Sequence, residues 1–289
     1  MFSENVLQDY VVVITGGGSG LGQMFAKAFV QAGARVYISG RRRETLESTA
    51  DMLNAIQAGS ARYVVADNTR KEDLANLVRF VSDHEDRVDV LVNNAGTAIF
   101  DQPTPETDVN AGMEPNPFPV IKSDDPEAWG KQFAMFTWAP YSLTVDFIPL
   151  LAKAAKLGKG RGSVIMISSI AARFWNPYIA LPGYSAAKAG LDHASMILAA
   201  KLHPWGIRIN TISPGSFATD SNIPTNAAAM AHPSNDHRIP LQRSGTADDI
   251  TPLAIFFASP GAQYITGQRM EVDGGLMLVA NGTNRITPP

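Results

Sequence analysis

The chain has 289 residues, of which 45% are hydrophobic and 18% charged, and its formal net charge at pH 7 is −3. This composition is typical of a globular protein with a buried core, and the slight negative charge argues against electrostatic binding of nucleic acid or an anionic membrane. The chain has no cysteine, which excludes disulfides and thiolate metal sites, and it has no His/carboxylate cluster, so we expect no metal. No signal-peptide pattern opens the chain, and no apolar run approaches the roughly 20 residues of a membrane span. We therefore expect a soluble, cytoplasmic protein.

Short Val/Ile-rich runs alternate with segments of helical periodicity along most of the chain. The predicted strands are Tyr10–Ile14, Arg35–Ser39, Tyr63–Ala66, Val88–Val92, Ser163–Ile167 and Ile207–Ile212. The predicted helices are Leu21–Gln31, Glu44–Gln57, Arg70–His84, Glu127–Lys156 and Ser185–His203, with a capping-box pattern at 246–249 that opens a last one. Apolar strands that alternate with helices are typical of a parallel sheet covered on both faces. The sequence thus predicts an α/β fold, a single doubly wound Rossmann-fold domain over residues 1–289 with a mostly parallel sheet of about seven strands.

Two irregular stretches interrupt this alternation. Residues 97–126 are rich in proline, and residues 216–240 are polar and rich in alanine. Long loops inside a compact domain are usually functional or disordered. Because both follow predicted strands, we expect them at the carboxyl edge of the sheet, where such folds bind ligands.

A glycine-rich turn follows the first predicted strand and leads into a helix. It reads Thr15-Gly16-Gly17-Gly18-Ser19-Gly20-Leu21-Gly22 and is called the glycine turn below. Glycines let the backbone approach a pyrophosphate, and the helix N-terminus offers free N–H groups and a positive dipole end. The alternative is a tight strand–helix turn without a ligand. The predicted phosphate contacts are Gly16, Gly18, Ser19, Gly20, Leu21 and Gly22.

The end of the second predicted strand indicates which dinucleotide binds. Gly40 is followed by Arg41 and Arg42, and the next carboxylate is Glu44. A carboxylate at this place would bind the ribose 2′-hydroxyl of NAD, whereas arginine suits the 2′-phosphate of NADP. The pattern favours NADP(H), although the arginines could instead only solvate a helix start.

A tyrosine precedes a lysine by four residues in the Gly/Ala-rich run that begins at Gly183. Tyr184 and Lys188 would lie on one face of a helix. A phenol is a poor acid at neutral pH, and a nearby ammonium favours the phenolate and lowers the pKa of the tyrosine. The pair therefore predicts a tuned proton donor, although the four-residue pattern alone is a weak signal.

The ordered set of motifs resembles the short-chain dehydrogenase/reductase family, in particular 3-oxoacyl-carrier-protein reductases and reductases of fungal secondary metabolism. Besides the glycine turn and the Tyr/Lys pair, the matching positions are Asp67, Asn93-Asn94-Ala95-Gly96, Ser169, Pro214-Gly215 with Thr219, and the run from Thr266-Gly267-Gln268 to Val272-Asp273-Gly274-Gly275. Any one of them alone could be an ordinary turn or core residue.

The resemblance implies a role for each of these positions. Ser169 would bind the substrate carbonyl oxygen, Tyr184 would pass the proton, and Lys188 would hold the nicotinamide ribose while it lowers the pKa of Tyr184. Asp67 would hold the adenine amino group, and Thr219 the carboxamide. The remaining predicted cofactor contacts are Asn68, Asn94, Ala95, Gly96, Pro214, Gly215 and Phe217. The resemblance also implies a homodimer or homotetramer built on the helices predicted at 127–156 and 185–203.

Two features depart from the family pattern. Phe136 stands seven residues after Trp129, where the family commonly has an asparagine that helps to relay protons to the lysine. The interval between Ser169 and Tyr184 is also longer than usual, and it runs through Arg173-Phe-Trp-Asn-Pro-Tyr178, which would lie beside the substrate. Ordinary core packing is the alternative for each aromatic residue. The predicted substrate contacts are Phe136, Phe174, Trp175, Tyr178 and Phe217.

These motifs together predict NADPH-dependent reduction of a ketone, or the reverse alcohol oxidation, on a medium-sized, largely apolar or ring-bearing small molecule. Ser169, Tyr184 and Lys188 are the predicted catalytic trio. The alternative is a non-redox scaffold or sensor of the same fold that binds NADP(H), for which Phe136 in the relay position is the argument.

Overall fold

The computed structural model describes residues 5–96, 126–173, 175, 182–217 and 239–280. Seven strands form one sheet: β1 (Val11–Thr15), β2 (Arg35–Gly40), β3 (Ala61–Val65), β4 (Val90–Asn93), β5 (Ser163–Ile167), β6 (Arg208–Pro214) and β7 (Arg269–Val272). Their order is β3-β2-β1-β4-β5-β6-β7, and every neighbouring pair is parallel. The predicted Rossmann fold with a parallel, seven-stranded sheet is confirmed.

Nine α-helices are present in the described part of the chain. They are α1 (Gly20–Gln31), α2 (Arg43–Ile56), α3 (Lys71–Ser82), α4 (Pro126–Phe133), α5 (Ala139–Asp146), α6 (Ile148–Ala155), α7 (Pro182–Leu202), α8 (Ala247–Ala258) and α9 (Leu276–Ala280). Helix α8 opens with the predicted capping box, in which Thr246 and Asp249 bind each other's backbone N–H groups. Short 3₁₀ helices cover Ile170–Arg173, His203–Trp205 and Pro260–Ala262.

The single helix predicted over 127–156 is wrong, because three helices and a π-helical turn cover that range. The π-helical turn, Ala134–Trp138, separates α4 from α5, and there the N–H of Ala139 bonds to the carbonyl of Ala134, five residues back. Pro140 follows directly. Because proline has no backbone N–H, it cannot form the α-helical hydrogen bond to the carbonyl four residues earlier. Pro149, near the start of α6, lacks the same N–H and lies just after the junction between α5 and α6.

Hydrophobic side chains cover both faces of the sheet. Along β1, Val12 and Ile14 join the cluster under α1, α2 and α8, whereas Val11 and Val13 join the cluster under α3, α5, α6 and α7. This alternation follows from the two-residue period of a strand. All residues of β1, β4, β5 and β6 are buried as a result, which explains their continuous apolar sequence.

The carboxyl edge of the sheet holds the positions that the motifs single out. The order of the strands reverses between β1 and β4, which opens a crevice where folds of this kind bind ligands. Most of the two predicted loops, residues 97–125 and 218–238, lies outside the described residues. Within the described ranges, no helix combines the length and the apolar character that a bilayer crossing requires.

Candidate active site

The glycine turn packs against the end of β4. The Asn94 side chain donates hydrogen bonds to the carbonyls of Thr15, at 2.9 Å, and Gly16, at 3.3 Å. In return, the Thr15 hydroxyl accepts from the backbone N–H groups of Asn94 and Ala95, each at 3.0 Å. These four bonds join the two strands across the crevice. The part played by Thr15 was not predicted, although this residue stands first in the glycine turn.

Two glycines of the turn are required by its geometry. Gly16 has a φ of +66°, in the left-handed region. A Cβ at Gly22 would lie 2.1 Å from the Gly16 carbonyl oxygen and 2.6 Å from Asn94 Nδ2. The first turn of α1 contains no acidic side chain, so its N–H groups face the crevice without a competing negative charge. This cradle fits a pyrophosphate.

Polar side chains gather where β2 and β3 end. Arg42 donates to the hydroxyl of Ser19 at 3.0 Å, which brings a guanidinium to the glycine turn. Burial raises the pKa of Asp67, but hydrogen bonds from Thr69, at 2.9 Å and 2.7 Å, and the charge of Arg41 outweigh it, so that the pKa lies below its ordinary value. Asp67 is therefore an ionised acceptor at neutral pH.

Two buried oxygen atoms lack a protein donor at this end of the crevice. They are Oδ1 of Asn68 and the hydroxyl oxygen of Ser39, and neither has a hydrogen-bond partner among the described residues. A buried polar atom without a partner is costly, so such an atom commonly marks a ligand position. Together with the glycine cradle, these atoms fit a dinucleotide that spans the crevice.

The predicted catalytic trio is brought together by β5 and α7. Ser169 follows β5, and its hydroxyl oxygen accepts the N–H of Ala171 at 3.1 Å. The same hydroxyl is hydrogen-bonded to Tyr184 in the first turn of α7. Lys188 follows one turn later, is 5% exposed and donates from Nζ to the carbonyl of Ile167 at 2.7 Å.

The pKa values of the trio differ from the expectation. Burial raises the pKa of Tyr184 above its ordinary value, and the hydrogen bond with Ser169 opposes this rise without cancelling it. Burial also lowers the pKa of Lys188 to about 7, against an opposing effect of Asp192. The predicted lowering of the tyrosine pKa by Lys188 is therefore wrong for this arrangement, because the lysine is held on Ile167 and loses its own charge near neutrality.

Phe136 lies directly against the trio. Its ring is 2% exposed and meets the Tyr184 ring edge-on, with the centroids 5.0 Å apart and the planes at 83°. Lys188 Nζ stands 4.5 Å from the centroid of the same ring. A Cβ at Gly96 would lie 2.2 Å from Phe136 Cε1, so glycine at position 96 makes room for the ring. The ring therefore contacts both Tyr184 and Lys188 of the predicted trio, and its predicted contact with substrate remains a prediction.

The structure places four of the other predicted contacts. Trp175 is 74% exposed and so has no core-packing role, and its predicted contact with substrate stays a prediction. Phe217 is buried in a core cluster and pairs with Gly245, so its ring has a packing role and its predicted ligand contacts stay predictions. Pro214 ends β6, and the N–H of Gly215 bonds to Val272 at the end of β7. The predicted contacts Phe174, Tyr178 and Thr219 lie outside the described residues.

Comparisons with known proteins identify the family of the chain. Residues 16–277 match the family model described as enoyl-(acyl carrier protein) reductase. The chain is 30% identical to the rhamnolipids biosynthesis 3-oxoacyl-[acyl-carrier-protein] reductase of Pseudomonas aeruginosa, over 93% of this chain and 96% of that one. It is 31% identical to the short-chain dehydrogenase/reductase VdtF of Byssochlamys spectabilis, over 92% of each.

A solved structure resembles the whole fold. The complex of Pseudomonas aeruginosa RhlG with NADP has a TM-score of 0.79 and 28% identity, and the match covers 96% of this chain and 99% of that one. The fold and the site thus define a dinucleotide-dependent oxidoreductase. The chain belongs to the short-chain dehydrogenase/reductase family, as the motifs predicted, and is an NAD(P)-dependent enzyme.

The close approach at Gly22 can be tested by substitution. We expect Gly22→Ala to lower the free energy of unfolding by about 1–3 kcal/mol, because the added methyl collides with backbone, and to weaken NADPH binding by at least about tenfold as the cradle shifts. Urea unfolding and fluorescence titration with NADPH measure the two effects. Gly130→Ala is the control, since a Cβ there meets nothing within 4 Å. If both variants behaved alike, the cradle would not depend on Gly22.

Proposed function

We propose that the protein reduces a ketone with NADPH and that Tyr184 is the proton donor. The observation that carries the proposal is the hydrogen bond between the hydroxyls of Ser169 and Tyr184 beside the buried Lys188. Two hydroxyls that are already paired can both turn to one carbonyl oxygen of a substrate. The reverse reaction, alcohol oxidation, would use the same groups.

The chain's own residues support each part of the reaction. When bound, the nicotinamide supplies a hydride to the carbonyl carbon. Ser169 then donates a hydrogen bond to the carbonyl oxygen as negative charge develops there, and Tyr184 transfers its hydroxyl proton to the same atom. Tyr184 is protonated at neutral pH, since its pKa lies above its ordinary value, so the proton that it would donate is present. Lys188 would hold the ribose of the cofactor next to the tyrosine.

The choice of NADPH over NADH is supported at the other end of the crevice. Arg41 and Arg42 are both exposed, and Arg42 lies on Ser19 of the glycine turn, where a 2′-phosphate would meet the guanidinium. The related RhlG structure is a complex with NADP. We expect Asp67 and Asn68 to contact the adenine, and Asn94, Ala95 and Gly96 to line the ribose.

A medium-sized, largely apolar or ring-bearing ketone is the proposed substrate. The relative from Pseudomonas is named as a 3-oxoacyl reductase, which supports a ketone on an extended apolar group. The aromatic residues of the interval between Ser169 and Tyr184 support the same substrate class.

We also propose that the chain acts as one domain in the cytoplasm and assembles as a homodimer or homotetramer. Trp138, Tyr141 and Val145 are each more than one third exposed and are spaced along one side of the π-helical turn and α5, as expected for a face that meets a second copy. Sedimentation velocity of the purified chain measures its oligomeric state. A monomer at all concentrations up to the micromolar range would contradict it.

Replacement of Tyr184 tests the chemistry. We expect Tyr184→Phe to lower kcat for ketone reduction by at least about a hundredfold, since the proton donor is lost, while the dissociation constant for NADPH changes little. Oxidation of NADPH with a panel of 3-oxoacyl thioesters and cyclic ketones measures the rate. Tyr264→Phe, at a fully exposed tyrosine, is the matched control. Unchanged turnover in Tyr184→Phe would refute the mechanism.

The same panel distinguishes the non-redox alternative, which Phe136 in the relay position motivates. Tight NADPH binding by the unmodified chain without oxidation by any ketone of the panel would favour a scaffold or sensor.

Replacement of Arg42 tests the cofactor choice. We expect Arg42→Ala to raise the dissociation constant for NADPH about 10- to 150-fold, which corresponds to about 1.5–3 kcal/mol for a lost charge-assisted hydrogen bond. Binding of NADH should change less than about twofold, because it has no 2′-phosphate. Arg43→Ala, at the next position on α2, is the control. Equal weakening of both cofactors in Arg42→Ala would rule out the phosphate contact.

A further inference from the structure

The ring of Phe136 has contacts that ordinary core packing does not require. It contacts both predicted functional groups of α7, edge-on to Tyr184 and with Lys188 Nζ over its face. We propose that Phe136 is a positioning residue, which holds the Lys188 ammonium beside Tyr184 through a cation–π interaction in place of a polar side chain. This inference rests on the proposed function for its catalytic meaning, but the interaction itself does not depend on turnover.

The local backbone is built to present this ring. Phe136 is the central residue of the π-helical turn, and such turns are rare and frequently lie at functional sites. The neighbouring Thr137 donates from its hydroxyl to the carbonyl of Ala187 at 2.7 Å, which fastens the turn to α7 one residue before the lysine. On the other side, Gly96 leaves room for the ring. The π-helical turn and the Thr137 hydrogen bond thus place the ring beside α7, and Gly96 leaves the space that it fills.

Besides the ring of Phe136, one hydrogen bond and the charge of Asp192 favour the Lys188 cation. The Nζ atom is buried and donates to Ile167 at 2.7 Å. The titratable groups that face it among the described residues are Tyr184, whose ring centroid is 5.9 Å away, and Asp192. Asp192 is engaged with Arg269, at 2.6 Å. A desolvated ammonium over an aromatic face is stabilised more than an exposed one.

The chemical consequence concerns the charge of the lysine. Burial favours the neutral amine and lowers the pKa of Lys188 to about 7. An aromatic face attracts only the charged form, so its loss should lower the pKa of the amine further. Phe136 would then determine what fraction of Lys188 is present at neutral pH as the ammonium, the form that can donate hydrogen bonds to a ribose hydroxyl while its face-on contact with the ring persists.

Unfolding experiments test the interaction without a substrate. Met has a volume and polarity close to those of Phe but no aromatic face, so Phe136→Met is the informative variant. Lys188 is mostly charged at pH 6 and mostly neutral at pH 9, given its pKa of about 7. We expect Phe136→Met to lower the folding equilibrium constant about 5- to 30-fold more at pH 6 than at pH 9, by the size of a desolvated cation–π contact.

A double-mutant cycle with Lys188→Met completes the test. In that background the effect of Phe136→Met should be the same at both pH values, because no cation remains to be stabilised. The same pH dependence in both backgrounds, or none in either, would overturn the proposal. Failure of Tyr184→Phe to affect turnover would refute the proposed function but leave this cycle interpretable.

A pH profile provides a readout in the working enzyme, even if Lys188→Met fails to fold. We expect kcat for ketone reduction to fall as Lys188 loses its proton, and Phe136→Met to move this fall down by about one pH unit, with KM little changed. Phe136→Tyr keeps the ring face and should retain the original midpoint. Phe133→Met, at a ring that stacks on Trp129, is the matched control. If the midpoint of the kcat–pH profile did not move in Phe136→Met, or moved equally in Phe133→Met, the proposal would be wrong and Phe136 would have only a packing role.

Discussion

The side chain of Asn94 joins the two halves of the molecule where the strand order reverses. Its amide donates to the carbonyls of Thr15 and Gly16, and the Thr15 hydroxyl accepts from the backbone that follows β4. Without this exchange, the ends of β1 and β4 would leave several backbone groups unpaired at the floor of the crevice. The position of the glycine turn, and with it that of any bound pyrophosphate, depends on the same four bonds. The distance between a pyrophosphate bound at the glycine turn and the hydroxyls of Ser169 and Tyr184 would therefore depend on β4 and β5, which lie side by side.

Stability and function oppose each other at Lys188. A buried amine whose pKa falls to about 7 destabilises the folded state at neutral pH, because the unfolded chain keeps it charged and fully hydrated. The sign follows from proton binding: between pH 7 and the ordinary lysine pKa the unfolded state holds more protons, so stability rises with pH in this window. The hydrogen bond to Ile167 and the ring of Phe136 offset part of the penalty. If Lys188 had only a packing role, methionine or leucine at this position would give a more stable protein. The presence of a lysine therefore supports a role in the reaction.

The sequence predicted most of the fold because apolar periodicity is a local property. Strand Ser163–Ile167 was predicted with the observed bounds, and the capping box at Thr246 was read from two side chains. The prediction failed where the outcome depends on tertiary context. The π-helical turn depends on Pro140 and on contacts with α7, and the pKa of Tyr184 depends on burial that no spacing reveals. The departure at Phe136 was visible in the sequence, but its contact with Lys188 needed the geometry of two elements far apart in the chain.

The fit between Gly96 and Phe136 also bears on how this chain can evolve. A side chain at position 96 has no space while the aromatic ring is present, and a smaller residue at 136 would leave a void beside a buried amine that water could enter. Only glycine therefore suits position 96 while the ring is in place. Because Gly96 also belongs to the family motif, an aromatic ring at position 136 needs no compensating change at position 96. The order of events is constrained in the other direction, since a side chain at position 96 would first require loss of the ring.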